Sequence, residues 1–292
     1  MKLLLIVNPL AGGGRTGRAL PAVRAELARQ GVEHRVQETR SLSHGRTLAA
    51  EAAQRGEVAV AFGGDGLIGA VADALRGGDG VMGVLPGGRG NDFARALGIP
   101  LDPAQACAAL ASGAPRPLDL GEVGGRTFIG IASCGFDSDA NRIANHTRVV
   151  RGKLVYAYGA VRALLGWRPA TFTVTVDGGR PCTVTGYTVA AANSRSYGGG
   201  MQLAPAADLD DGQLDVVIIS HLPKPRFLML MPTVFTGTHV NQPIVQTGRA
   251  RTVAIAASRP FTLYADGDPI AELPATISIL PGAMRVIVPA AR

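Results

Sequence analysis

Three short glycine-rich stretches, each placed directly after an apolar run, restrict this chain more than any other feature. Lys2–Val7 (KLLLIV) leads into Asn8-Pro9-Leu10-Ala11-Gly12, residues 58–62 lead into Gly63-Gly64-Asp65-Gly66, and residues 81–85 lead into Pro86-Gly87-Gly88-Arg89-Gly90. Unbroken apolar runs of this length suit strands buried on both faces, as in a parallel sheet covered by helices. Helical stretches follow at residues 18–30, 45–55, from the second loop to 75, and at 92–97, with a further strand at 32–37. Repeated strand–loop–helix units predict an open α/β domain over residues 1–124. Every one of the three loops then lies at the carboxyl end of a strand, where open α/β sheets bind ligands. Glycine allows close backbone approach and helix N-termini favour negative charge, so the loops together predict a phosphate-binding surface.

Beyond residue 126 the pattern changes to short Val-, Ile- and Thr-rich runs at 127–131, 171–176, 183–191, 214–219, 253–256, 261–265, 276–280 and 285–288. Turn residues divide them, which predicts a β-sandwich domain over residues 125–292, its last strand free to return toward the first domain. Two helical interruptions are expected, at 139–167 and 224–237. The cleft between the domains is the expected site.

Composition narrows the partners. The formal net charge is +7, and only three of 29 basic residues are lysine (Lys2, Lys153, Lys224). Arginine's planar fork suits phosphate, although a bias toward Ala, Arg and Gly codons explains the excess equally well. An anionic partner is expected: a nucleotide or an anionic membrane surface. Nucleic acid is not, because aromatics make up only 5% and the arginines are scattered. Cys107, Cys134 and Cys182 are too far apart for a disulfide framework or zinc site. No apolar run reaches the roughly 18 residues of a membrane span, so a cytoplasmic protein is expected.

Gly12-x-Gly14-x-x-Gly17 with Glu33 downstream fits a dinucleotide-binding turn, but such a turn does not account for three glycine loops. No G-x-x-x-x-G-K-[ST] occurs, which excludes a P-loop enzyme. Asp65 sits between glycines, where a carboxylate repels phosphate unless a cation mediates; a helix N-cap is its other reading.

The loops carry a resemblance. Asn8-Pro9-x-x-Gly12, Gly63-Gly64-Asp65-Gly66 and Leu85-Pro86-Gly87-Gly88-x-Gly90-Asn91-Asp92-Phe93-Ala94-Arg95 resemble the soluble diacylglycerol kinase catalytic-domain family, which includes sphingosine and ceramide kinases. Gly135-Phe136-Asp137, Gly198-Gly199-Gly200-Met201, Asp211-Gly212 and Asp266-Gly267-Asp268 continue it through the second half. The resemblance implies an N-terminal fold like that of NAD kinases and phosphofructokinases, with ATP in the interdomain cleft. It implies transfer of the γ-phosphate to a lipid hydroxyl such as that of diacylglycerol, giving phosphatidate. ATP would contact Asn8, Pro9, Leu10, Ala11, Gly12, Thr39, Gly64, Asp65, Gly66, Leu67, Ile68, Gly69, Ala70 and Arg89. Asp65 would act at the metal–phosphate end, and Asp92, Arg95 and Asp119 would hold Mg2+ in one charged network. Asp211, with carbonyls near Asp208 and Gln213, would bind a second Mg2+, and Asp268 would be the general base. Leu67 and Arg89 stand where the family commonly has threonine, and Asp268 where it has glutamate. An NAD kinase, or a non-catalytic lipid- or nucleotide-binding protein, is the alternative.

For the lipid side, residues 154–167, with Tyr156, Tyr158 and Trp167 among Arg142, Arg148, Arg151, Lys153 and Arg168, read either as an interfacial helix or as a core helix. Phe227, Leu228, Leu230 and Met231 read as core or as the lining of an acyl pocket. A homodimer through paired sheet edges is left open.

Overall fold

The first strand begins at the second residue because Leu3, Leu4, Leu5, Ile6 and Val7 have almost no exposed surface and can only be accommodated between two helical layers. The computed structural model describes residues 1–146, 159 and 162–289. Strands β1 (Lys2–Val7), β2 (Glu33–Glu38), β3 (Val58–Gly63) and β4 (Val81–Pro86) form a parallel sheet in the order β4-β3-β1-β2. Helices α1 (Ala11–Arg29), α2 (Leu42–Gln54), α3 (Asp65–Leu75), α4 (Asp92–Ala96) and α5 (Pro103–Ser112) complete this lobe. The strand sequence is as expected, but α5, capped by the Asp102 side chain, was not anticipated.

The second lobe is antiparallel. It is built from β5 (Ala114–Val123), β6 (Arg126–Phe128), β7 (Ile131–Gly135), β8 (Ala170–Val176), β9 (Cys182–Ala192), β10 (Leu214–Ser220), β11 (Val245–Ala250), β12 (Thr252–Ala257), β13 (Thr262–Ala265), β14 (Asp268–Glu272) and β15 (Ala275–Val288). Helices α6 (Phe136–His146) and α7 (Lys224–Leu230) interrupt it. The runs expected at 276–280 and 285–288 are one strand. A register shift between Leu280 and Met284, with Gly282 at φ +59°, bends β15 without ending it. Its first half pairs with β12 and its second half runs parallel to β4, so a single strand belongs to both lobes.

Each lobe has its own apolar core. Trp167 lies inside the second one, stacked on Tyr187 at 5.7 Å and edge-on to Phe136 at 6.0 Å. Of the two readings open for it, Trp167 takes the core one. Phe227 and Leu230 are core as well, whereas Leu228 points outward. Tyr156, Tyr158, Arg148, Arg151 and Lys153 lie outside the described residues, as does half of the expected helix at 154–167.

Candidate active site

The three glycine loops touch each other backbone to backbone. The Gly87 N–H donates to the Gly63 carbonyl at 2.7 Å. A Cβ on Gly12 would lie 2.4 Å from the Gly87 oxygen, and one on Gly88 would lie 2.5 Å from the Gly64 Cα. No side chain fits between loops this close, which is why the sequence places glycine in all three. Gly12, Gly13 and Gly14 have φ of 61°, 72° and 83°, a left-handed turn that reverses the chain before α1 proper. Side chains then fix the cluster. Thr16 Oγ1 donates to the Gly87 carbonyl at 3.2 Å, and the Arg15 guanidinium donates to the Gly12 and Gly88 carbonyls. Asn91, itself left-handed at φ 54°, accepts from the Gly88 N–H at 2.8 Å. Arg15, Thr16 and Asn91 were not among the expected site residues. Their signal was present as polar residues bordering glycine turns, but such residues are common at turns of every kind.

Carboxylates from three segments meet at this cluster. A Cβ on Gly90 would fall 2.9 Å from Asp92 Oδ2, 3.1 Å from Asp65 Oδ2 and 3.5 Å from the Gly199 nitrogen. Asp65 and Asp92 thus flank one small space, floored by Gly90. The Gly199 N–H, from the second lobe, donates to Asp92 Oδ2 at 2.8 Å, while the Phe93 N–H donates to Asp65 Oδ1 at 3.3 Å. Asp92 Oδ1 is buried and has no hydrogen-bond partner. Burial, reinforced by the charge of Asp92, pushes the Asp65 carboxyl above its ordinary range. Burial raises Asp92 too, against the Gly199 and Gly200 N–H groups and the Arg95 cation. Arg95 Nε donates to the Gly90 carbonyl at 3.3 Å.

The third carboxylate is Asp266. It accepts from the N–H groups of Ile129, Gly130 and Ile131 at 2.8, 2.9 and 3.2 Å, which pins the turn between β13 and β14 to the loop before β7. Burial and the nearby charge of Asp65 push its pKa up to about 6. Asp268, two residues on, is exposed at the start of β14. Arg126 Nη1 holds that strand by donating to the Pro269 and Ile270 carbonyls at 3.1 and 3.0 Å.

Several expected contacts are relocated. Leu67, Ile68 and Ala70 are buried on the inward face of α3, the first two within the first core. Leu67 packs against Gly45 and Gly63, filling the place where a hydroxyl was expected to be missed. Of this stretch, Gly64, Asp65, Gly66 and Gly69 keep some exposure. Thr39 is buried and its hydroxyl donates to the Ser41 carbonyl at 2.6 Å, which ties β2 to α2. Leu10 is exposed, whereas Asn8 turns its Oδ1 back to accept from the Leu10 N–H at 3.2 Å. Arg89 is exposed at the tip of the third loop.

Asp119 makes its side-chain hydrogen bonds at another turn. Its two oxygens accept from the Gly212 and Gly282 N–H groups, both at 2.7 Å, so it clips the bend of β15 to the turn before β10. Asp211 lies near that turn, 3.3 Å from Arg249 Nη1, with Asp215 3.9 Å from Arg249 Nε. Asp211 also accepts from the Gln213 N–H at 3.0 Å, so two of the three residues expected at a second magnesium are joined at this turn. Among the described residues no cluster of three or more His, Cys, Asp or Glu could hold a metal.

The raised carboxyls dictate a pH dependence. Asp266 binds a proton more tightly in the folded protein, near 6, than an ordinary aspartate does at 3.8, and Asp65 and Asp92 shift the same way. A carboxyl raised by folding stabilises the native state when protonated, and that contribution is lost as pH rises through the folded pKa. Glu26, lowered to about 2, titrates outside this window. His239, lowered from its ordinary value by burial, works in the opposite direction as it is charged. In metal- and nucleotide-free buffer the melting temperature of the unmodified protein relative to Asp266→Asn should therefore rise as pH falls from 7.5 to 5.5. Thermal melts across that range check it, and a flat or falling trend contradicts it.

Comparison with known proteins agrees with this construction. Residues 2–123 match the diacylglycerol kinase catalytic domain, and residues 130–288 match the YegS C-terminal NAD kinase beta sandwich-like domain. A diacylglycerol kinase of Mycobacterium tuberculosis is 35% identical, with 99% of this chain and 95% of that protein aligned. A probable YegS-like lipid kinase of Pseudomonas aeruginosa is 34% identical with the same coverage. Among solved structures, a putative diacylglycerol kinase from Bacillus anthracis superposes with a TM-score of 0.81 at 23% identity, covering 98% of this chain and 96% of that one. An NAD kinase from Archaeoglobus fulgidus shares the fold more distantly, with a TM-score of 0.53 at 12% identity and coverage of 98% and 93%. With its loops, its two-lobed fold and close relatives along nearly its whole length, the chain belongs to the diacylglycerol kinase catalytic-domain family.

Proposed function

We propose that the protein is an ATP-dependent lipid kinase that transfers the γ-phosphate of ATP to the hydroxyl of diacylglycerol or a related lipid, giving phosphatidate or its analogue. The observation that carries this reading is the meeting of three interlocked glycine loops with Asp65 and Asp92 at one point, where the second lobe contributes Gly199. Phosphoryl transfer needs closely approaching backbone donors, neutralised charge and one group to orient the nucleophile. The loops around Gly12, Gly64 and Gly88 supply the first, and Arg15, Arg89 and Arg95 are exposed close by.

Mg2+ fits beside Asp65 and Asp92. Their oxygens flank one space, both carboxyls are raised, and Asp92 Oδ1 lacks a partner. Magnesium prefers such sparse carboxylate sites completed by phosphate and water, and when bound it would neutralise phosphate charge. Asp268 is the base that receives the lipid hydroxyl proton. Its exposure lets a lipid reach it, and Asp266 and Arg126 hold its turn on both sides. The protein would work in the cytoplasm, meeting its lipid at a membrane surface without spanning the bilayer. No helix among the described residues is long and apolar enough to cross a membrane.

Incubation with ATP, Mg2+ and diacylglycerol vesicles, following phosphatidate, tests the reading. Asp268→Asn is expected to lower kcat by about 10²–10⁴ with little change in the KM for ATP or in melting temperature. A variant that keeps more than a tenth of the activity removes Asp268 as the base. ATP binding without phosphorylation of any hydroxylated lipid overturns the kinase reading itself.

A further inference from the structure

Large apolar side chains left exposed are few among the described residues, and half of them fall in one region. Met1, Leu10, Leu42 and Leu101 are scattered over the first lobe, whereas Leu165 (69% exposed), Leu228 (53%), Met229 (77%) and Phe235 (55%) all belong to the second. Leu228, Met229 and Phe235 lie in one stretch of chain, and a hydrogen bond ties the start of that stretch to the segment that carries Leu165. In α7, Phe227 and Leu230 face the core, which forces the intervening Leu228 and Met229 outward. The Lys224 Nζ then donates to the Leu165 carbonyl at 2.9 Å, placing the start of α7 against the segment that ends at Trp167. Phe235 follows a short helical turn over Met231–Val234. The core is already satisfied by their buried neighbours, so these four side chains are not needed inside the fold. An exposed apolar patch of this kind marks a contact surface.

The surrounding charge selects the partner. Arg162, Arg168 and Arg226 are exposed in the same two segments, and the Arg259 guanidinium lies 5.1 Å from the Trp167 ring centroid. The sequence contains no Asp or Glu between residues 140 and 176 or between residues 216 and 265. A second copy of the chain meeting this face would set cations against cations. An anionic bilayer offers both an apolar interior for the side chains and opposite charge for the arginines.

We infer that the face formed by Leu165, Leu228, Met229 and Phe235 is the surface on which the protein docks to anionic lipid membranes. This deepens the lipid-kinase reading, on which it rests for its purpose, by naming how the second lobe reaches its substrate. Leu228 and Met229 insert, the arginines hold phosphate headgroups, and the lobe that carries Asp268 is retained at the interface.

Sedimentation of the full chain with vesicles tests it, comparing pure phosphatidylcholine with a 70:30 mixture of phosphatidylcholine and phosphatidylglycerol. The protein should bind the anionic vesicles, and the Leu228→Glu/Met229→Glu double variant should lower the partition coefficient at least tenfold with an unchanged melting temperature. An Arg162→Gln/Arg226→Gln variant, which alters no apolar group, should weaken binding to anionic vesicles and leave binding to neutral ones unchanged. Phosphorylation of a water-soluble short-chain diacylglycerol should be the same in all three proteins. Undiminished vesicle binding by both variants overturns the inference, as does indifference of the unmodified protein to phosphatidylglycerol. A double variant that changes from dimer to monomer while still binding vesicles assigns the face to self-association instead. Vesicle binding by a protein that phosphorylates no lipid refutes the kinase reading and leaves the surface standing.

Discussion

Asp65→Asn is expected to lower kcat by about 10³ and yet to leave the protein at least as stable as before. The two effects have one cause. The carboxyl of Asp65 is buried, close to Asp92 and Asp266, and the backbone N–H groups that reach it, from Asn91 and from Phe93 at 3.3 Å, do not offset the cost of burial. Like charges crowded in a poorly solvated space are unfavourable until a cation arrives. Asparagine keeps the acceptor for Phe93 and removes the charge, so the unliganded fold loses a repulsion. Phosphoryl transfer loses the group that would handle the metal–phosphate end. The check is a pair of measurements on one variant at pH 8: phosphatidate formation at saturating ATP, and a melting curve without metal. A fall in both activity and melting temperature would mean that Asp65 is a structural residue, as its N-terminal place on α3 would also allow. Full activity would remove it from the site.

Gly88→Ala should produce the opposite pairing, with loss of both stability and nucleotide binding. The new Cβ would sit 2.5 Å from Gly64 Cα and 3.4 Å from Gly64 N, and the neighbour is backbone that cannot swing aside. The second and third loops must separate. That breaks the register in which Gly87 donates to Gly63 and Asn91 accepts from Gly88. Overpacking of this kind costs about 1–3 kcal/mol, and a larger loss is reasonable where backbone meets backbone. A melting temperature lower by about 5 °C and ATP binding weakened at least tenfold are expected, read by thermal melts and calorimetric titration. Gly248→Ala is the control, because a Cβ there, on the exposed strand β11, meets nothing within 4 Å. If Gly88→Ala matches that control, the interlocked loops do not shape the nucleotide site.

The sequence showed the loops, the parallel lobe and the family clearly, because each rests on local signals: apolar runs, glycine turns and ordered motifs. What it concealed was non-local. Ile68 and Ala70 lie in a motif whose residues all looked available, but helical period turns them inward while Gly66 and Gly69 face out. Asp119 was placed with Asp92 and Arg95 only by the family resemblance. Only the fold shows that Gly212 and Gly282 consume its two oxygens. Asp266 was quoted as a landmark and credited with nothing, since no sequence pattern reveals a carboxylate held by three consecutive N–H groups from residues 129–131. In the second lobe, β11 and β14 escaped notice because their exposed, polar residues lack the apolar alternation that identifies a strand.

The strand shared by the two lobes has a bearing on how the protein is made. β15 lies late in the chain and is the partner of β4 on one side of the first lobe's parallel sheet. A ribosome finishes β1 to β4 and the glycine loops long before residues 284–288 appear. Until then β4 presents an unpaired edge, and unpaired edges recruit other strands. The first lobe keeps this edge open until the end of the chain is made, and the same late strand then completes both lobes.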